Sequence, residues 1–183
     1  TLMYNYNRLI TCNEVGNHPK DFGIDTAFFH REMEDRQQKW PLAMNASATH
    51  DTKRGEDVRA RLQVIAAYPQ LWITYVESAM KLLSIEYTEE LPHINDVYFM
   101  FQTLFGHYPM PGTSKDGFDE RFKAYLNKYL REGKERSDWS APNEKYEQCI
   151  ENLAMALLDE KTACFKLFLE FLRIPVEPDP YLN

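Results

Sequence analysis

The sequence predicts a mainly α-helical, bundle-like fold, and three observations predict it. From Gly55 to Leu172 apolar residues recur three and four positions apart, the spacing that gathers them on one face of a helix. Residues that favour helix starts stand where helical runs begin, notably Asp25 upstream of that region and Pro69 and Asn143 within it. A single stretch, Leu42 to Thr49, shows the period of two that a strand requires, so the chain holds at most one or two short strands.

Taken in order, Tyr4 to Glu14 carries apolar positions at a helical rhythm that Gly16, Asn17 and Pro19 stop. Asp25 is the expected N-cap of a helix from Thr26 to Trp40, with Phe29, Met33, Arg36 and Trp40 on one stripe and Pro41 closing it. Leu42, Met44, Ala46 and Ala48 then alternate with Ala43, Asn45, Ser47 and Thr49 as the strand candidate. Glu56 to Ala67 reads as helix, and Pro69 opens another carrying Leu71, Trp72, Tyr75, Val76, Ala79, Leu82 and Leu83. His93 to Gly106 follows, rich in aromatics at Tyr98, Phe99, Phe101 and Phe105, with Gly106 as its stop. After a loop of Pro109, Pro111, Gly112 and Gly117, the run from Phe118 to Arg131 places Phe122, Tyr125, Leu126, Tyr129 and Leu130 at helical spacing. Asn143 caps a helix with Tyr146, Ile150, Leu153 and Leu157. Asp159 to Lys161 interrupts before a last helix from Thr162 to Leu172, and Pro175, Pro178 and Pro180 end regular structure. No internal repeat or low-complexity tract is present.

A chain of 183 residues is long enough for one domain with a sizeable core, or for a compact module with an extension. No apolar run approaches the roughly 20 residues that cross a bilayer. Thr1 to Arg8 has no signal-peptide pattern either, so the expected location is cytoplasmic, with no membrane partner. The formal charge of −7 argues against nucleic acid, whose binding rests on a positive surface, and favours a neutral ligand such as a glucan. Cys12, Cys149 and Cys164 are odd in number and lack metal-ligand spacing, which predicts reduced, buried thiols. His18, His30, His93 and His107 have no ligand-spaced neighbours, so no metal is assigned. Aromatics at helical spacing are read as core, including Trp72, Tyr98 and Trp139, and Trp40 beside Pro41 is read as packing too.

The chemistry concentrates between Asn45 and Leu62. Small residues lead to His50 and Asp51; acids follow at Glu56 and Asp57, and cations stand at Lys53, Arg54, Arg59 and Arg61. A helix N-terminus accounts for Glu56 and Asp57 through the helix dipole, and for Asp57 with Arg61 as a pair one turn apart. Arg59 and Arg61 read as a solvated or salt-bridged helix face. That account leaves His50, Asp51, Lys53 and Arg54 unexplained. Carboxylates at a strand's carboxyl end are where α/β folds place their catalytic groups.

The run Thr49-His50-Asp51-Thr52-Lys53-Arg54, continued by Glu56-Asp57-Val58-Arg59-Ala60-Arg61, closely resembles a motif of the maltooligosyltrehalose synthase family, within the α-amylase superfamily of (β/α)8-barrel enzymes. The resemblance extends to Asn13, Glu14, Val15, Gly16 and Pro19, to Phe29, His30, Arg36, Trp40 and Pro41, and onward through Gln102, Gly106, Arg131, Trp139 and Glu147. It departs at Asn17, His18 and Gly55. The resemblance implies that residues 1–54 derive from the barrel, with 42–49 its seventh strand, that 55–174 form a helical subdomain, and that 175–183 are a Pro-rich tail. It further implies a piece of a several-fold longer enzyme, whose remaining barrel would be this chain's partner in cis. The implied reaction converts the reducing-end α-1,4 link of a maltooligosaccharide to an α,α-1,1 link by intramolecular transglycosylation, with no cofactor. Asp51 would stabilise the transition state, His50 would donate a hydrogen bond to the same sugar, and Lys53 and Arg54 would bind substrate hydroxyls. The nucleophile and general acid would lie elsewhere, leaving this piece inactive alone. A related α-amylase-type hydrolase or glucanotransferase, or a helical binding module without chemistry, is the alternative.

Overall fold

The computed structural model describes residues 2–18, 23–110 and 112–173, and among these the regular structure is helical with no strand. The helices are α1 (Leu2–Asn5), α2 (Thr26–Lys39), α3 (Glu56–Ala67), α4 (Pro69–Glu86), α5 (Ile94–His107), α6 (Phe118–Gly133), α7 (Glu144–Leu158) and α8 (Ala163–Leu172), with a 3₁₀ turn at Ile10–Cys12. Local chemistry sets the boundaries. Asp25, Asn143 and Thr162 accept hydrogen bonds from the amides of Phe28, Tyr146 and Phe165 at 2.8, 3.2 and 3.1 Å, so each satisfies a donor that a helix start leaves open. Pro69 opens α4, where its missing N–H costs nothing.

Helix α5 is the centre. Its residues Val97, Phe99, Met100, Phe101, Leu104 and Phe105 are all buried, so it is apolar nearly all round, as a core helix must be. Each such side chain taken from water contributes about 1.5–3 kcal/mol. Helix α3 closes on α5 through Leu62, while Trp72 and Tyr75 of α4 meet Phe105 and Phe101 at ring-centroid distances of 5.8 and 5.9 Å. Helix α8 covers α4, with Phe171 stacked on Tyr75 at 4.6 Å. On the other side Tyr129 of α6 stacks on Phe99 at 3.5 Å.

Two buried carboxylates are paired with arginines. Asp96 accepts from the hydroxyls of Tyr129 and Tyr146 at 3.1 and 2.6 Å and faces Arg136 at 3.2 Å. Glu147 of α7 takes both prongs of Arg131, Nε to Oε1 at 2.8 Å and Nη2 to Oε2 at 2.7 Å, and also the hydroxyl of Ser137. The Arg131 bonds hold the Glu147 carboxyl below its ordinary range, against the opposing effect of burial.

Several expectations are corrected. Tyr4 to Glu14 is no single helix, because Gln102 binds its backbone from the core. The Gln102 amide donates to the Asn7 carbonyl at 2.8 Å and its oxygen accepts the Ile10 amide at 2.9 Å, so tertiary bonds replace helical ones between α1 and the 3₁₀ turn. Leu42 to Thr49 has no ladder and is exposed throughout. Gly106 does not stop its helix: it lies inside α5, buried under α3. Trp139 is 54% exposed, with the Arg131 guanidinium 5.1 Å from its ring centroid, and Trp40 is 70% exposed, so neither is core, whereas Trp72 is. Of the cysteines only Cys164 is buried; Cys12 and Cys149 are half-buried, and all are free thiols. Arg61 is half-buried rather than solvated, and donates to the Tyr108 carbonyl at 2.5 Å at the C-terminus of α5. Pro175, Pro178 and Pro180 lie outside the described residues.

Candidate functional site

The segment from Thr49 to Gly55 leads from the exposed stretch that begins at Gly23 into α3. Its shape is set locally. The Thr52 hydroxyl donates to the Thr49 carbonyl at 2.8 Å and accepts the Thr49 amide at 3.2 Å, while the Asp51 amide donates to the Thr49 hydroxyl at 3.3 Å. These bonds make a tight Thr-bracketed turn with His50 and Asp51 at its tip. There His50 Nε2 lies 3.2 Å from Asp51 Oδ2, and both side chains face solvent.

Immediately after the turn the chain is tied down. Glu14, only 7% exposed, accepts the Lys53 amide on Oε1 at 2.6 Å and the Arg54 amide on Oε2 at 3.4 Å. Arg54 returns the contact: its Nη1 donates to the Ile10 carbonyl at 2.8 Å and lies 3.5 Å from the Asn13 carbonyl. Further along, the Ser47 hydroxyl donates to Glu56 at 2.6 Å, joining the approach to the turn with the first residue of α3.

His50, Asp51 and Lys53 line one polar cleft of about 140 Å³, whose opposite wall is Tyr4, Tyr125 and Lys128. The Lys53 ammonium sits 5.5 Å from the Tyr4 ring centroid, a cation–π contact that steadies the side chain while leaving its donors available. Arg54 does not line this cleft. It is 6% exposed and its Nη1 donates to the 3₁₀ turn, so its place is beneath the site. On the cleft wall, burial raises the Tyr125 phenol above its ordinary pKa, the charge on Arg54 opposes that, and Tyr4 and Glu14 add to it.

Glu14 is the residue that reading by residue type did not single out as part of the site. No local pattern marks it, because its partners are 39 and 40 positions away. The signal available was its place within the resemblance. A second groove, about 160 Å³ and lined mainly by Val64, Leu71, Phe105, Met110 and Phe171, has Arg61 as its one charged wall residue and no carboxylate to act on a sugar. Among the described residues no group of His, Cys, Asp or Glu converges as metal ligands would, and no helix is long and apolar enough to cross a membrane.

Every described residue from Gly23 to Asp51 is exposed, Phe29, Met33, Leu42 and Met44 included. This length therefore presents apolar side chains that the helical core does not use.

No protein-family model matches the chain. Over 158 residues, 86% of its length, it is 34% identical to a putative maltooligosyl trehalose synthase of Mycobacterium tuberculosis (strain CDC 1551 / Oshkosh), of which it spans only 20%. Among solved structures, it is similar to a hypothetical maltooligosyl trehalose synthase of Sulfolobus tokodaii, with a TM-score of 0.79 and 34% identity over 94% of this chain and 23% of that one. A second maltooligosyl trehalose synthase structure matches with a TM-score of 0.82 and 33% identity, over 94% of this chain and 22% of its own.

Proposed function

We propose, from the premise that this chain is homologous to a segment of the maltooligosyltrehalose synthases and spans about a fifth of their length, that it supplies one wall of a glucan-converting active site. The whole enzyme would move the reducing-end glucose of a maltooligosaccharide from an α-1,4 to an α,α-1,1 link without releasing it. The observation that carries this reading is the cleft in which Asp51, His50 and Lys53 converge.

Chemistry of this kind passes through an oxocarbenium-like transition state between a nucleophilic carboxylate and a carboxylic general acid. Asp51 takes neither task. Its carboxylate accepts hydrogen bonds from the sugar's secondary hydroxyls, and these strengthen as the ring flattens and positive charge grows, so the transition state gains more than the ground state. His50, against the same carboxylate, donates to the same sugar. Lys53 donates to the hydroxyls of the glucose that must be retained and turned, and a firm hold on that glucose favours its return over attack by water. Arg54 was expected as a second hydroxyl donor; its burial and its bonds to Ile10 and Asn13 support a role in fixing the turn instead.

The nucleophile and general acid come from elsewhere in the longer protein. Glu14 is committed to backbone amides and Glu56 to Ser47, which supports the expectation that this chain alone has no activity. The remaining barrel would cover the exposed stretch from Gly23 to Asp51, and the enzyme would work in the cytoplasm on a soluble glucan.

The test is to incubate the full-length protein containing this chain with maltopentaose and analyse the products. A non-reducing, trehalose-ended pentasaccharide as the main product supports the proposal. Free glucose and shorter maltooligosaccharides as the main products would establish an amylase-type hydrolase in its place, and no conversion at all would favour a binding module.

A further inference from the structure

The buried carboxylate of Glu14 is unusual in what it binds. A buried acid commonly faces a cationic side chain, but Glu14 is turned onto main-chain amides, those of Lys53 and Arg54 at 2.6 and 3.4 Å and its neighbour Val15 at 3.1 Å. Two of these amides belong to the residues that follow Asp51 and Thr52. The contact is reciprocal, since Arg54 reaches back to the carbonyls of Ile10, the first residue of the 3₁₀ turn, and of Asn13 just after it. The strand of contacts continues inward: Gln102, fully buried in α5, accepts the Ile10 amide at 2.9 Å and donates to Asn7 at 2.8 Å. The turn carrying His50 and Asp51 makes its own bonds only within Thr49 to Thr52, and its tip is exposed. On its N-terminal side the approach is tied to α3 through the exposed Ser47–Glu56 bond, and on its C-terminal side the buried Glu14 clamp fixes it to the helical core.

We propose that Glu14 is a positioning residue for Asp51: its carboxylate pins the Lys53 and Arg54 amides, and so holds the His50–Asp51 turn and the Lys53 side chain at one distance from the α5 core. The inference rests on the functional reading above and extends it to a residue that touches no substrate. Positioning of this kind matters because a carboxylate that serves only the transition state loses its effect when displaced by about 1 Å, which can cost about 100-fold in rate. An acceptor with two charged oxygens is needed because two separate amides are held at once, and Gln in this place offers one oxygen and sets an NH₂ group against the other amide.

The experiment is a double-mutant cycle in the full-length protein, with Glu14→Ala, Glu14→Gln, Asp51→Asn and the Glu14→Ala/Asp51→Asn pair, each assayed for kcat and KM on maltopentaose and for its thermal midpoint. Glu14→Ala is expected to lower kcat by about 10- to 100-fold with KM changed by less than about 3-fold, Glu14→Gln to lose less than Ala, and the pair to be no slower than Asp51→Asn alone. In the 183-residue chain, Glu14→Ala is expected to speed hydrogen exchange at the Lys53 and Arg54 amides while leaving the α5 amides protected, which a general loss of stability would not do. If Asp51→Asn is impaired but Glu14→Ala turns over within about 2-fold of wild type, or its loss adds in full to that of Asp51→Asn, the inference is overturned and the functional reading stands. If Asp51→Asn itself is unimpaired, the functional reading fails and the inference falls with it. Should Glu14→Ala not fold, Glu14→Gln carries the same comparison.

Discussion

Gly106 of α5 lies directly against Val58 of α3: a Cβ placed on Gly106 would stand 2.9 Å from Val58 Cγ1, with Leu62 Cγ at 3.4 Å. The glycine is buried and helical, so its value is the absence of a side chain rather than any special backbone angle. Val58 is β-branched and stiff about χ1, which leaves it little room to yield.

Substituting Gly106→Val would therefore overpack the α3–α5 contact and lower stability by about 2–3 kcal/mol. Urea unfolding of the 183-residue chain measures this directly. An unchanged midpoint would mean that the two helices are less closely packed than these distances require.

Stability should also fall with pH near neutrality, through His107. Its ring borders a cavity of about 260 Å³ shared with Thr103, Phe118, Arg121, Phe122 and Tyr125. Burial lowers the imidazole pKa, its hydrogen bond with the Thr103 carbonyl at 2.9 Å opposes this, and the charges of Arg54 and Arg61 add to the lowering. In the unfolded chain the ring protonates as pH falls through about 6.5, whereas in the folded chain it stays neutral to lower pH. The unfolded state thus binds more protons in that window, so stability drops as pH falls below about 6.5 and levels off beneath the folded pKa. A series of thermal midpoints between pH 7 and 5, compared with His107→Gln, should show a shallower slope for the variant. Parallel slopes would remove His107 as the cause.

The exposed stretch from Gly23 to Asp51 yields a different expectation. Trp40 at 70% exposure and Met44 at 91% have no partner in the helical core. Hydroxyl-radical footprinting should oxidise both readily in the 183-residue chain and markedly less in the full-length protein, where the barrel is proposed to cover them. Equal oxidation in the two would leave this surface open and place the rest of the protein elsewhere.

The helices that build the core were legible because their signals are local. Asp25, Pro69, Asn143 and Thr162 all act within a turn of their own position, and spacing alone placed Trp72, Tyr75, Phe122 and Leu126 inside. What escaped was set by partners distant in sequence. The helical rhythm of Tyr4 to Glu14 is overridden by Gln102, and the reading of Gly106 as a stop ignored α3 lying against it. The alternation of Leu42 to Thr49 can form a strand only beside other strands, and this chain offers none among its described residues. At the site, residue type and resemblance brought out His50, Asp51, Lys53 and Arg54, and the fold gathers three of them at one cleft. Whether a cation faces solvent or a buried carbonyl is a property of the fold, which is why the burial of Arg54 and the clamp by Glu14 were not readable from spacing.

The central claim is that Asp51 stabilises the transition state of a glucan-converting enzyme. Asp51→Asn keeps the size and most of the hydrogen-bonding capacity of the side chain and removes its charge. Steady-state kinetics of that variant in the full-length protein, on maltopentaose, should show kcat lower by about 100-fold or more with the thermal midpoint unchanged, as when other electrostatic stabilisers are removed. Turnover within about 2-fold of wild type would contradict the account.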